Sequence, residues 1–157
     1  MADILIYTDG SSRGNPGPGG YGVVMIYQNK RKELSAAFRK TTNNRMELLA
    51  VIIALESIKN KAIPIHLYSD SKYVIDSITK RWVWNWRLKA YKGKKNSDLW
   101  ERFLKIQEGL SVNYHWVKGH AGHQENERCD VLATVAADNG PYLIDDFFEK
   151  NEEGSLL

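Results

Sequence analysis

The sequence predicts a mixed α/β domain, with one mixed five-stranded sheet flanked by α-helices. Three observations carry this. The first forty residues hold short apolar or β-branched runs separated by turn signals, the pattern of strands joined as hairpins. From about residue 44, apolar residues recur at three- and four-residue spacing, the period of a helix with one buried face. Short strand-like segments then alternate with helical ones, giving the order β-β-β-α-β-α, a basic segment, then α-β-α, with crossovers that return the later strands to one sheet.

Each element has its own signature. Residues 4–8 form a short apolar run closed by Asp9 and Gly10, a turn signal, and the Gly- and Pro-rich stretch 11–20 reads as loop. Val, Ile and Tyr make 21–28 strand-like, 29–32 is a polar turn, and 33–39 returns as the second arm of a hairpin. Leu48, Val51, Ile52, Leu55 and Ile58 define a helix at about 44–60. A strand at 65–69 ends at Asp70, and Val74, Ile75 and Ile78 mark a short helix at 71–79. Beyond the basic segment come a helix at 98–110, a strand at 112–117 and a last helix at 125–138. Tyr142, Leu143, Ile144, Phe147 and Phe148 give the tail enough apolar surface to dock in part, while 151–157 is expected to be disordered.

At 157 residues the chain suits one domain. With 43% hydrophobic and 26% charged residues it is neither disordered nor collagen-like. The lone Cys129 excludes a disulfide framework within the chain and fits a reducing compartment. The N-terminus, with Asp3 and a brief apolar run, does not read as a signal peptide, and no apolar stretch approaches the ~20 residues of a membrane span. The expectation is a soluble, cytoplasmic monomer with no membrane partner.

The net charge of +3 conceals a segregation. Residues 80–95 carry seven cations and no acid, whereas 140–157 carries five acids against Lys150. A concentrated basic arm implies a polyanionic partner.

Four acids stand out, and each has an ordinary structural reading. Asp9 fits an Asp-Gly turn, Asp70 an N-cap, Glu47 a capping-box acid three residues after Asn44, and Asp130 a complement to a helix macrodipole. As a set they are harder to explain this way. Asp9 and Asp70 each lie where a strand runs out, the edge at which α/β sheets form sites. Four converging carboxylates repel one another unless cations sit among them, and oxygen-only ligation suits Mg²⁺ or Mn²⁺. Spacing alone does not establish the convergence.

The segments TDGSSRGNPGPGGYG (8–22), TTNNRMELLA (41–50), YSDSKYV (68–74) and WVKGHAGHQENERCD (116–130) resemble the four sequence blocks of type 1 ribonuclease H in its bacterial form, in the family's order and spacing. The resemblance spans roughly residues 3–138. It implies a ribonuclease H-like fold, with a catalytic domain over 1–140 and a basic protrusion at about 80–97; the remaining 141–157 is the acidic, partly disordered tail already read from composition. It also implies an endoribonuclease that cuts the RNA strand of RNA–DNA hybrids with two Mg²⁺ ions, leaving a 5′-phosphate and a 3′-hydroxyl. Asp9, Glu47, Asp70 and Asp130 correspond to the family's catalytic, metal-binding acids. His120, between glycines in KGHAGH (118–123), corresponds to a residue assisting proton transfer and product release.

The resemblance also implies a substrate groove. Asn15 and Asn43 fall near the minor groove, Thr42 at a DNA phosphate, and Trp82 and Trp86 beside the DNA strand. Asn44 fits either the groove or a helix cap. Lys89, Lys92, Lys94 and Lys95 belong to the basic protrusion, which is shorter than in well-known bacterial forms, and Lys72 stands where relatives commonly carry Gln. Cations interleaved with aromatic rings are in themselves a nucleic-acid signature, although at least one Trp is expected to serve only packing.

Other readings of these motifs are weaker. GPGGYG (17–22) matches a dinucleotide fingerprint in letters, but a strand follows it rather than a helix, so no dinucleotide is expected. A zinc site at His120, His123 and Cys129 lacks a fourth ligand. A non-catalytic hybrid-binding module is disfavoured by the intact acid set. A DNA-directed nuclease of the same fold is disfavoured by the TTNNRMEL and KGHAGH blocks.

Overall fold

The computed structural model describes residues 2–119 and 123–154, with side chains through residue 151. Strands β1 (Ile4–Ser12), β2 (Gly17–Tyr27) and β3 (Lys30–Thr41) form an antiparallel meander, followed by α1 (Asn43–Glu56) and β4 (Ile65–Ser69). Then come α2 (Lys72–Thr79), α3 (Trp82–Leu88), α4 (Ser97–Gln107), β5 (Val112–Trp116), α5 (Gln124–Asn139), β6 (Tyr142–Leu143) and α6 (Asp146–Gly154). The strand order is β5-β4-β1-β2-β3-β6, with β4 parallel to both β1 and β5. The sheet therefore has six strands rather than five. β6 is only two residues long, pairing Tyr142 and Leu143 with Ala37 and Phe38, too short to show a strand period in the sequence.

A second correction concerns residues 11–20. Gly17, Gly19 and Gly20 lie not in a loop but in β2, β1 runs on to Ser12, and only residues 13–16 form a connection. The small size of glycine serves helix packing here. A Cβ on Gly22 would lie 2.4 Å from the Cys129 carbonyl oxygen, and one on Gly20 would lie 2.7 Å from that of Ala133, so only glycine lets α5 lie this close to β2. On the other face α1 packs on β1, where a Cβ on Gly10 would meet the Glu47 backbone nitrogen at 2.3 Å.

The main core lies between the sheet and the α1–α4 side, where Ile6, Ile65, Leu67, Met46, Ile52, Trp100 and Phe103 are fully buried. Each such side chain contributes roughly 1.5–3 kcal/mol relative to exposure. Trp100 is the tryptophan that serves packing.

The tail docks through a buried ion network. Arg45, 3% exposed, donates Nε to Asp145 Oδ2 at 2.7 Å and Nη2 to Asp98 Oδ2 at 2.7 Å, while Thr41 Oγ1 donates to Asp145 Oδ2 at 2.7 Å. Its guanidinium also lies 5.6 Å from the Phe147 ring centroid. Residues 151–154, expected to be disordered, continue α6. Among the described residues no helix is long and apolar enough to cross a membrane.

Candidate active site

The sheet order makes β1 and β4 neighbours. Their register pairs Thr8 with Ser69, so Asp9 and Asp70 follow side by side at the same edge. The structural readings of the acids give way at three positions. Asp9 lies inside β1 rather than in a turn, accepting the Gly10 N–H at 2.9 Å. Ser71, not Asp70, caps α2, its hydroxyl accepting the Val74 N–H at 3.1 Å. Thr42, not Asn44, caps α1 by accepting the Arg45 N–H at 3.2 Å, which places Glu47 beyond the reach of a capping box.

Glu47 is instead brought to the site by the contact at Gly10. Asp9, Glu47 and Asp70 each offer a carboxylate oxygen, and these atoms lie within 4.8 Å of one another. Asp9 and Glu47 are 5% and 6% exposed, and Asp70 is half-buried. Glu47 Oε1 and Asp70 Oδ1 are buried without a hydrogen-bond partner among the described residues, an expensive arrangement unless something else meets them. Asp130, half-buried in α5, stands outside this close group, near enough only to add its charge to Asp9.

Burial and crowding act in the same direction. Burial first, then the Asp70 charge, push Asp9 up to about 7, against lowering hydrogen bonds from Glu47 and the Gly10 amide. Burial, the charges of Asp9 and Asp70, and a hydrogen bond to Asp9 hold the Glu47 carboxyl well above its usual range. A crowded, partly protonated, underbonded set of oxygens matches what a hard divalent cation takes. The chain's donors therefore fit a metal.

The predicted substrate residues gather in two adjoining hollows. Asn15, Thr42, Asn44, Lys94 and Lys95 line one of about 560 Å³, closed on one side by Phe147 and Phe148 of α6. Asn15 Oδ1 accepts the Asn43 N–H at 3.1 Å, tying the 13–16 connection to the start of α1. Trp82, Trp86, Lys89, Lys92 and Lys94 line the other, so Lys94 is common to both. The two indoles are 6.5 Å apart, with Lys94 Nζ 5.2 Å from the Trp86 ring centroid. Lys72 is elsewhere, its Nζ 4.7 Å above the Trp116 ring.

Three residues at these sites escaped sequence reading. Trp116, 43% exposed, donates its indole N–H to the Asp70 carbonyl at 3.0 Å, and its place at the head of the fourth block was the available signal. Arg45 sits within the second block, but its buried partners are distant in sequence. Gly10 shows in the sequence only as the second half of an Asp-Gly turn signal. His120 lies outside the described residues. The zinc reading gains nothing, since buried Cys129 donates its thiol to the Tyr7 carbonyl at 3.1 Å.

A model of the RNase H family matches residues 1–138. The chain belongs to the RNase H family. A ribonuclease H from Desulforamulus reducens is 57% identical over 142 residues, covering 87% of this chain and 89% of that protein. LC9-RNase H1, described as a type 1 RNase H with the type 2 active-site motif, superposes with a TM-score of 0.77 at 34% identity, covering 88% of this chain and 74% of that one. LC11-RNase H1, solved in complex with an RNA/DNA hybrid, gives 0.65 at 29% identity, over 87% and 97%. As a ribonuclease H, the chain is a metal-dependent hydrolase that cleaves the RNA strand of RNA–DNA hybrids.

The raised Asp9 carboxyl makes stability depend on pH. Between its ordinary value of 3.8 and about 7 the folded protein binds a proton more tightly than the unfolded chain. This contribution is complete below pH 4 and is lost as pH rises through 7. In chelator, Asp9→Asn should flatten that loss and melt higher than wild type at pH 8, by on the order of 2–4 °C for each kcal/mol of repulsion relieved. Parallel melting curves at pH 5 and pH 8 check this; an equal or lower midpoint for the variant at pH 8 would contradict it.

Proposed function

We propose that this ribonuclease H works by two-metal-ion catalysis with Mg²⁺, giving 5′-phosphate and 3′-hydroxyl products. The observation that carries the reading is the close trio Asp9, Glu47 and Asp70, two of them buried, with its partnerless oxygens. In this reading Asp9 and Asp70 would be the principal ligands, Glu47 would bind one ion and help order the attacking water, and Asp130 would complete the second position from α5. Two bound ions would activate water and stabilise the leaving oxygen of an in-line displacement. Mn²⁺ shares the ligand preference. His120 is proposed, from its place in KGHAGH, to assist proton transfer and product release.

The grip on substrate follows from the two hollows. Thr42 accepts its capping N–H and keeps its own O–H to donate, so a DNA phosphate would meet both that hydroxyl and the N-terminus of α1. Asn15, Asn43 and Asn44 would reach base edges and 2′-hydroxyls in the wide minor groove. Trp82 and Trp86 would pack on sugars lacking a 2′-hydroxyl, while Lys89, Lys92, Lys94 and Lys95 meet phosphates. Lys72 would leave the Trp116 ring for a base acceptor or phosphate. Such contacts position a duplex without reading its sequence. The hybrid seen with LC11-RNase H1 supports this assignment. The lone buried thiol of Cys129 supports a reducing, cytoplasmic setting, and the enzyme is proposed to act as a monomer.

Labelled RNA–DNA, RNA–RNA and DNA–DNA duplexes should separate this reading from others. Cleavage is expected only of the hybrid and only with Mg²⁺, and Asp70→Asn should lose at least about a hundredfold in rate while keeping its circular dichroism, as expected when an electrostatic catalytic group is removed. Equal cutting of DNA–DNA, or wild-type rates in the variant, would overturn it. Replacing Lys92, Lys94 and Lys95 together by Ala should weaken hybrid binding and reduce the slope of log affinity against log salt by up to roughly 2–3; an unchanged slope would show that these cations do not meet phosphates.

A further inference from the structure

On the sheet face that carries α5, that helix packs on β1, β2 and β3, while His66, Tyr68 and His115 of β4 and β5 on that face remain half-exposed. There the register sets Tyr7 beside Tyr68 and Tyr68 beside His115, with His66 two residues before Tyr68 on the same strand. Tyr7 stacks on Tyr68 at 5.0 Å and Tyr68 on His115 at 4.8 Å, while the His115 and His66 rings, inclined by 22° with centroids 5.3 Å apart, meet edge to edge. His66 Nδ1 and His115 Nε2 lie 3.1 Å apart, and His66 Nε2 lies 2.8 Å from Asp3 Oδ2. Neither the carboxylate centre nor the substrate hollows use this group.

We propose that His66 and His115 form a second metal site, for a first-row transition ion such as Zn²⁺ or Cu²⁺, separate from the carboxylate centre. A carboxylate only accepts, so a neutral His66 carries its proton on Nε2, toward Asp3, and offers its Nδ1 lone pair to His115 Nε2 or to an ion in its place. This is the form in which a carboxylate behind a histidine orients it as a metal ligand. Two nitrogens bound at 2.0–2.1 Å to one ion, at angles between square and tetrahedral, lie about 2.9–3.4 Å apart, so an ion could be taken with the nitrogens at their present 3.1 Å, each ring turning from the hydrogen-bonded line to aim its lone pair at it. An ion would replace the one proton now shared between the two nitrogens, with His115 carrying its own proton on Nδ1 instead. The stacked tyrosines hold the His115 plane, and the half-exposure of the pair leaves the remaining positions to water. Imidazole donors favour Zn²⁺ and Cu²⁺, whereas Mg²⁺ prefers oxygen. A bound ion would tie the edge strand β5 to β4 and, through Asp3, to the start of β1, so its effect would be on stability rather than turnover.

The test is zinc binding by the full chain in excess Mg²⁺, followed by equilibrium dialysis with metal analysis and by thermal unfolding. Wild type should retain one zinc with a raised midpoint, and His66→Gln and His115→Gln should each lose both effects. Asp3→Asn should keep both imidazoles but bind zinc about 10–100-fold more weakly. Mg²⁺-dependent cleavage by His115→Gln should match wild type. The proposal is overturned if wild type retains no zinc, or if both histidine variants retain it as well as wild type does. Should His66→Gln fail to fold, Asp3→Asn decides: unchanged zinc affinity overturns the proposal.

Discussion

Three carboxylates confined within 4.8 Å, two of them almost fully buried, are the constraint around which this molecule is organised. Left alone they repel, lose solvation and hold on to protons, so Asp9 stays partly protonated near neutral pH. A fold optimised only for stability would not assemble them. Their cost is accepted because the same crowding creates a strong site for divalent cations, and the surrounding structure serves to keep them from moving apart.

That confinement is achieved by backbone contacts. Gly10 lets the start of α1 settle against β1 at the position of Glu47, and Gly22, paired with Asp9 in the register of β1 and β2, lets α5 pass at Cys129, next to Asp130. Parallel pairing of β1 with β4 supplies Asp70. The network of Arg45, Asp98 and Asp145 then clamps the N-terminal turn of α1 to α4 and the tail, so the helix bearing Glu47 is held from both sides. Because Thr42 and Asn15 are fixed to that same turn, the groove and the carboxylates share one rigid reference. Bound phosphates and metals are thereby set in register with each other, which is how preorganisation contributes to rate.

Much of this was legible in the sequence. The period of Leu48, Val51, Ile52 and Leu55 defined α1, and the positions of Asp9 and Asp70 at strand ends pointed to one edge. The four blocks supplied the family. What escaped was whatever depends on contacts between distant residues. Gly17, Gly19 and Gly20 read as loop because composition does not reveal that they belong to a strand, with a helix from residue 124 onward lying against Gly20. Thr42 rather than Asn44 became the cap because side-chain geometry chose between adjacent candidates. β6 was too short to show a period, and the docking of Asp145 just after it joins it to Arg45, a hundred positions earlier. The pairing of His66 with His115 likewise required the register of β4 with β5.

The most direct measurement of the central claim is calorimetric titration of Mg²⁺ into the metal-free enzyme at pH 7, in two buffers of different ionisation enthalpy. If the carboxylates are held protonated by crowding, filling the site must expel those protons. The apparent binding enthalpy should then differ between buffers by an amount corresponding to net proton release. Identical enthalpies in the two buffers would mean that the acids were already fully ionised, and that the crowding inferred here is relieved by some other means.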